Sequence, residues 1–89
     1  MISKLSEEVE VLIIRKCRME FKMNVEIFGM GLKTVELPYC RLKHLPIIKS
    51  IYLQKLNVSN NEISEILELP NKGLKMLDIR NNKIVRITR

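Results

Sequence analysis

The chain has 89 residues, 46% of them hydrophobic but only 4% aromatic, and it has no tryptophan. That is too apolar for a disordered chain, yet a domain of this length buries only about 60–65% of the surface its unfolded form exposes, so marginal stability is expected. Sixteen Lys and Arg against ten Asp and Glu give a formal charge of +6, which favours an acidic or polyanionic partner, and the longest unbroken apolar run, Val11 to Ile14, is too short for a membrane-spanning helix.

In chain order, Met1 to Glu8 carry Ile2 and Leu5 on a polar background, with Ser3 or Ser6 able to cap a short helix. The β-branched run from Glu10 to Ile14 favours a strand over a continuation of that helix, leaving residues 1–8 as a lead-in. Phe21 to Ile27 alternate apolar with polar, the pattern of an extended segment, and Gly29 and Gly31 allow a tight turn after it. A later segment, Leu42 to Tyr52, contains Pro46, which limits any helix to a turn beginning there. The next, Ile63 to Gly73, ends in Pro70-Asn71-Lys72-Gly73, a turn signal.

A repeat organises these pieces. Leu53 to Ile63, LQKLNVSNNEI, returns as Leu74 to Ile84, LKMLDIRNNKI, 21 residues later. The same template fits Leu32, Val35, Leu37, Cys40 and Leu42, and, 23 residues earlier, Val9, Leu12, Ile14, Cys17 and Met19. Leu45, Ile66 and Ile87 form a further column at the same spacing. A period of this length means stacked coils, each too thin to hold a core alone. Two apolar residues separated by one polar residue place both on one face of a short strand. The column Cys17, Cys40, Asn61, Asn82 then becomes a structural ladder, since an Asn where strand gives way to loop both donates and accepts, satisfying backbone groups that stacking hides from water.

The spacing L-x-x-L-x-L-x-x-N/C-x-L resembles the leucine-rich repeat family over residues 9–89. The resemblance implies a right-handed α/β-type solenoid, mostly β and coil. Short parallel strands would line the concave face, with irregular or single-turn (3-10) returns on the convex face. One domain, residues 1–89, would hold four repeats at about 9–31, 32–52, 53–73 and 74–89. The fourth has no return, so neither end of the stack carries a polar cap, and uncapped ends are expected to dock onto a neighbour.

No catalytic constellation emerges. His44 is the sole histidine, and with Cys17 and Cys40 it has no recognised zinc spacing, so neither a metal nor a cofactor is expected. Gly29-Met30-Gly31-Leu32-Lys33 lacks both the third glycine and the following helix of a phosphate loop. The absence of a secretory leader or disulfide framework points to a reducing intracellular location, cytoplasmic or nuclear. A Cys17–Cys40 disulfide is sterically conceivable between strands about 4.8 Å apart, but disfavoured there.

What remains is surface. The outward positions of the sheet are Val11, Ile13 and Arg15; Thr34, Glu36 and Pro38; Lys55, Asn57 and Ser59; Met76, Asp78 and Arg80. In the family this face usually binds the partner, so Thr34, Glu36, Lys55, Asn57, Met76 and Asp78 are candidate protein contacts. Where each strand turns outward lies a second candidate, a basic rib of Arg15, Lys16 and Arg18, then Arg41, Lys43 and His44, then Arg80, Lys83, Arg86 and Arg89, broken by Glu62 and Glu65. Such a rib suits contacts to a phosphate backbone, with Tyr39 placed to stack a base. Together these features lead to the expectation of a non-catalytic subunit of a larger RNA-containing, ribosome-like ribonucleoprotein assembly, docked through its rib and uncapped ends. The alternative is a protein–protein adaptor using the concave face, without nucleic acid. Neither calls for a membrane or a small-molecule substrate.

Overall fold

A computed structural model describes residues 5–17, 25–69 and 71–87. The chain alternates between two faces through eight short strands: β1 (Val11–Ile13), β2 (Glu26–Phe28), β3 (Thr34–Glu36), β4 (Ile47–Lys49), β5 (Lys55–Asn57), β6 (Glu65–Ile66), β7 (Met76–Asp78) and β8 (Arg86–Ile87). The odd-numbered strands form one four-stranded sheet in the order β1-β3-β5-β7, parallel throughout. Val11 pairs with Thr34, Thr34 with Lys55 and Lys55 with Met76, so the sequence period is the advance of one physical coil. The molecule measures 35 × 30 × 19 Å, a flat stack.

Each strand of this sheet lasts three residues, so only its middle side chain points inward. Val35 and Leu56, the middle residues of β3 and β5, are completely buried. Around them Leu32, Leu37, Leu42, Leu53, Val58 and Ile63 close the core of the two central coils. The outer coils bury less. Leu74, Leu77, Ile79 and Ile84 are only half-buried, although their counterparts 21 residues earlier are among the most buried side chains. Val9, Leu12 and Ile14 are likewise half-buried.

The returns are strand and coil, with no helical turn among the described residues, and none of the described elements is a helix able to cross a membrane. Ile47 donates its N–H to Val25 O at 2.8 Å, and two β-branched residues following Pro46 suit that ladder better than a turn of helix. β2 pairs with β4 and β6 with β8, but the two pairs do not join. By sequence Pro46 is the counterpart of Leu67, and Pro70, which lies outside the described residues, is the counterpart of Lys49. Neither has an N–H with which to continue a ladder. Glu26–Phe28 is extended, while Phe21, Met23 and Met19 fall outside the described residues. In the lead-in, Ser6 closes a turn rather than a helix, its carbonyl accepting from Val9 N–H at 3.1 Å and its Oγ from Glu8 N–H at 3.2 Å.

Gly29 and Gly31 serve differently from expectation. No described glycine has a positive φ. At Gly31 a Cβ would instead run into the carbonyl oxygen of Glu7, so the glycine is needed for close approach of the lead-in. The left-handed positions are Tyr39, Asn60 and Asn81, one per coil at the repeat spacing, with Arg41 in addition.

Candidate binding surfaces

Two polar ladders hold the corners of the stack and so position everything on its surface. At the exit of the sheet, Asn61 Oδ1 accepts from the N–H groups of Cys40 (2.9 Å) and Leu42 (3.0 Å), which belong to the preceding coil. Its Nδ2 donates to the carbonyls of Leu37, Val58 and Ser59. Asn82 repeats the arrangement one coil later, accepting from Ile63 N–H and donating to Val58, Ile79 and Arg80 carbonyls, but is half-buried. Cys40 fills the same place with less capacity: Sγ donates weakly to Ile14 O (3.3 Å) and Pro38 O (3.5 Å) and offers no amide oxygen. Cys17 N–H, which such an oxygen would have served, donates instead to Tyr39 O at 3.3 Å.

The second ladder lies at the opposite corner, where returns re-enter the sheet, and the sequence reading missed it. Ser50 Oγ donates to Leu32 O at 2.6 Å and accepts from Tyr52 N–H, and Asn71 Nδ2 donates to Ser50 O. Gly29, Ser50 and Asn71 are spaced by the repeat length, and that shared spacing was the available signal.

On the sheet face Val11, Ile13 and Met76 are exposed, at 53, 41 and 56% of their surface, while Thr34, Glu36, Lys55, Asn57 and Asp78 are half-buried. Pro38 and Ser59, expected outward, are buried, because the chain leaves the sheet after three strand residues. Asn57 Oδ1 accepts Ser59 N–H at 2.9 Å, and Asp78 Oδ1 accepts Arg80 N–H at 3.2 Å, so both side chains brace the chain's own exit turn. Asp78 also grips the Arg80 guanidinium (Nη2 to Oδ2, 2.8 Å), and Lys33 pairs with Glu10 at 2.9 Å. Those hydrogen bonds hold both carboxyls below the usual carboxylate range and push the cations up. Such exposed pairs add little stability, but they neutralise much of the face. Glu36, between Ile13 and Asn57, keeps a carboxylate with no partner among the described residues.

The basic positions divide into three. Arg15, Lys16, Arg41, Lys43 and Lys83 are exposed along the exit edge with no ion-pair partner among the described residues. Arg80 is turned onto Asp78, and Arg86 lies in β8 in register with Glu65 rather than on that edge. Arg18 and Arg89 lie outside the described residues. Between the first three coils the edge folds into a hollow of about 240 Å³, rimmed by Lys16, Tyr39, Arg41 and Glu62, with Cys17 and the two asparagines 60 and 61 behind.

The Leucine Rich Repeat family model matches residues 52–71, the coil containing β5, Asn61 and β6. That coil is bonded in register to the one before and the one after, through the sheet and both ladders. The match and the stacked coils around it support a leucine-rich repeat protein. Comparison with curated proteins gives no match, and neither does comparison with solved structures.

Leucine-rich repeats are binding or structural modules, generally non-catalytic, whose partners are other proteins. Neither Cys17 nor Cys40 is in a disulfide, and burial pushes the thiol of Cys40 up from the ordinary range. Among the described residues no three metal-ligating side chains gather, and His44 is exposed. The Gly29–Lys33 segment turns, with Leu32 N–H donating to Gly29 O, and leads into β3.

Proposed function

We propose that this leucine-rich repeat protein grips a protein partner on its four-stranded sheet. The observation that carries the reading is the exposure of Val11, Ile13 and Met76 on a sheet locked by ladders on both sides, with the unpaired carboxylate of Glu36 beside Ile13. Apolar anchors on a rigid support bind without ordering loops first, and Glu36 favours a basic group on the partner segment.

A second reading, an RNA-containing assembly, is favoured by the unpartnered cations Arg15, Lys16, Arg41, Lys43 and Lys83 on the exit edge. There the edge contacts phosphates, Tyr39 stacks a base, and the half-buried flank of the fourth coil seats a neighbouring subunit, in the cytoplasm or nucleus. Parallel co-isolation separates the two. Wild type, an Ile13→Asp/Glu36→Lys variant and a Lys16→Glu/Lys43→Glu/Lys83→Glu variant are recovered under identical conditions. A protein partner retained by the edge variant and lost by the sheet variant supports the first reading. Equal recovery by the sheet variant sinks it. RNA retention that falls with salt, by about 0.7 log units per log unit of salt for each contact to a single strand, supports the second, and no retention at low salt removes it.

A further inference from the structure

The hollow at the exit edge carries more than charge. Its floor is saturated: every polar atom of the Asn61 side chain is bonded to backbone of its own or the preceding coil. Its rim is the reverse. The ammonium of Lys16, the hydroxyl of Tyr39, the guanidinium of Arg41 and the amide of Asn60 make no hydrogen bond or ion pair among the described residues, and Tyr39 leaves 60% of its surface exposed. Unmet donors around a rigid floor are what a polar ligand requires.

The rim is also a departure from the repeat. Asn60 and Asn81, the counterparts of Tyr39, adopt the left-handed conformation that Asn tolerates; Tyr39 adopts it at φ 56° with a bulky ring. Arg41 is left-handed at φ 54°, whereas its counterparts Glu62 and Lys83 are not. Among the described residues the second coil alone therefore sets an aromatic and a cation on one rim, which Lys16 of the first coil also lines. Two cations and a flat ring on one hollow match a phosphate attached to a planar base. Glu62, the one carboxylate of the rim, repels a bare anion but accepts from an amino-bearing base edge. The volume of about 240 Å³ lies below the usual range of small-molecule sites, so a bound nucleotide extends beyond the hollow.

We propose that this hollow is a nucleotide site in which the base stacks on Tyr39 and the phosphate lies between Lys16 and Arg41. The ligand is a free mononucleotide or an unpaired residue of an RNA strand; for the RNA source alone, the proposal rests on the second reading above. The aromatic NMR spectrum is simple, with two Tyr, two Phe and no Trp, so the Tyr39 ring is a direct reporter. Adenosine monophosphate, a short single-stranded oligoadenylate and inorganic phosphate are titrated separately. The expected result is an upfield shift of the Tyr39 ring with the first two ligands, and none with phosphate. Tyr39→Asn, which installs the residue of the neighbouring coils, weakens binding about 5- to 150-fold while the chain stays folded. Lys16→Glu/Arg41→Glu weakens it at least about tenfold. An oligoadenylate affinity well above that of the mononucleotide identifies RNA as the source, and equal affinities identify the free nucleotide. Unchanged affinity in Tyr39→Asn, or equal shifts from phosphate alone, overturns the site. RNA retention without any Tyr39 shift also overturns it while leaving the second reading intact. A mononucleotide shift in a protein that retains no RNA sustains the site and removes that reading.

Discussion

Asn61 and Asn82 occupy equivalent rungs of one ladder, yet their removal should have unequal consequences. Asn61→Ala leaves two backbone N–H groups, of Cys40 and Leu42, without an acceptor in the buried centre of the stack. At about 1–3 kcal/mol for each buried unsatisfied group, the expected loss is about 2–6 kcal/mol, before any relaxation. Asn82→Ala orphans one N–H, that of Ile63, at a half-buried site open to water, so a loss of about 1 kcal/mol is expected. Against a total of about 4–13 kcal/mol for a domain of this length, the first change approaches unfolding and the second does not. Urea denaturation followed by far-UV circular dichroism measures both, the m-value confirming that the same surface is exposed. Asn61→Cys provides an internal check. A thiol there can donate to carbonyls as Cys40 does but gives the two N–H groups no amide oxygen, so stability should lie between alanine and wild type. Losses at Asn61 and Asn82 that agree within about 0.5 kcal/mol, near the ordinary limit of additivity, would refute the assignment of ladder strength to buried N–H groups.

Tyr39→Asn relieves a left-handed tyrosine and should stabilise the chain by about 0.5–1 kcal/mol in the same urea assay; a loss would mean that the ring packs against something other than solvent. Gly31→Ala forces a methyl group against the Glu7 carbonyl and should destabilise by about 1–3 kcal/mol. Gly73→Ala, whose Cβ comes no nearer than 3.3 Å to Asn71 Oδ1, should be milder, and the reverse order would contradict the close approach of the lead-in. Iodoacetamide should modify Cys17 well before Cys40, whose burial and raised thiol pKa restrict it to unfolding events, and equal rates would refute that. Because the Cys40 pKa is raised in the folded state, its contribution is complete below the unfolded value of 9.0. Stability should then decline as pH climbs from there through the folded pKa, a trend absent from Cys40→Ala.

The coil length and the inward strand positions were legible because they recur as residue identities: Leu56 and Leu77, Val58 and Ile79, Asn61 and Asn82. The second ladder was not, because Gly29, Ser50 and Asn71 share a position and no chemistry, and only the bonds of Ser50 to Leu32 O and of Asn71 to Ser50 O reveal it. Pro46 reads as a limit on a helix, which its missing N–H does impose. The same missing N–H bears equally on a β ladder, and among the described residues β4, which follows Pro46, pairs only with β2. Pro38 and Ser59 were counted on the sheet face as though the strands continued, whereas β3 and β5 end at Glu36 and Asn57. Charge was legible as a total but not as a surface: the Asp78–Arg80 and Glu10–Lys33 pairs and the register of Arg86 opposite Glu65 depend on which coil each residue meets.

The hollow at the exit edge follows from a single buried replacement. In the third and fourth coils an Asn oxygen receives N–H groups of the coil before it, and the chain then leaves the turn in an ordinary conformation at Glu62 and Lys83. Cys40 supplies no such oxygen, only a thiol beside the Cys17 backbone; the Cys17 N–H donates to the Tyr39 carbonyl, and the turn that presents this carbonyl carries Arg41 in the left-handed region. Cys40→Asn should therefore give the Cys17 N–H an amide oxygen. It should return Arg41 to a negative φ, visible in its backbone carbon shifts, and raise stability by about 1 kcal/mol. With Arg41 swung off the rim, mononucleotide affinity should fall although neither Lys16, Tyr39 nor Arg41 has been altered. If Arg41 keeps its left-handed shifts in that variant, the turn is set by something other than the missing oxygen.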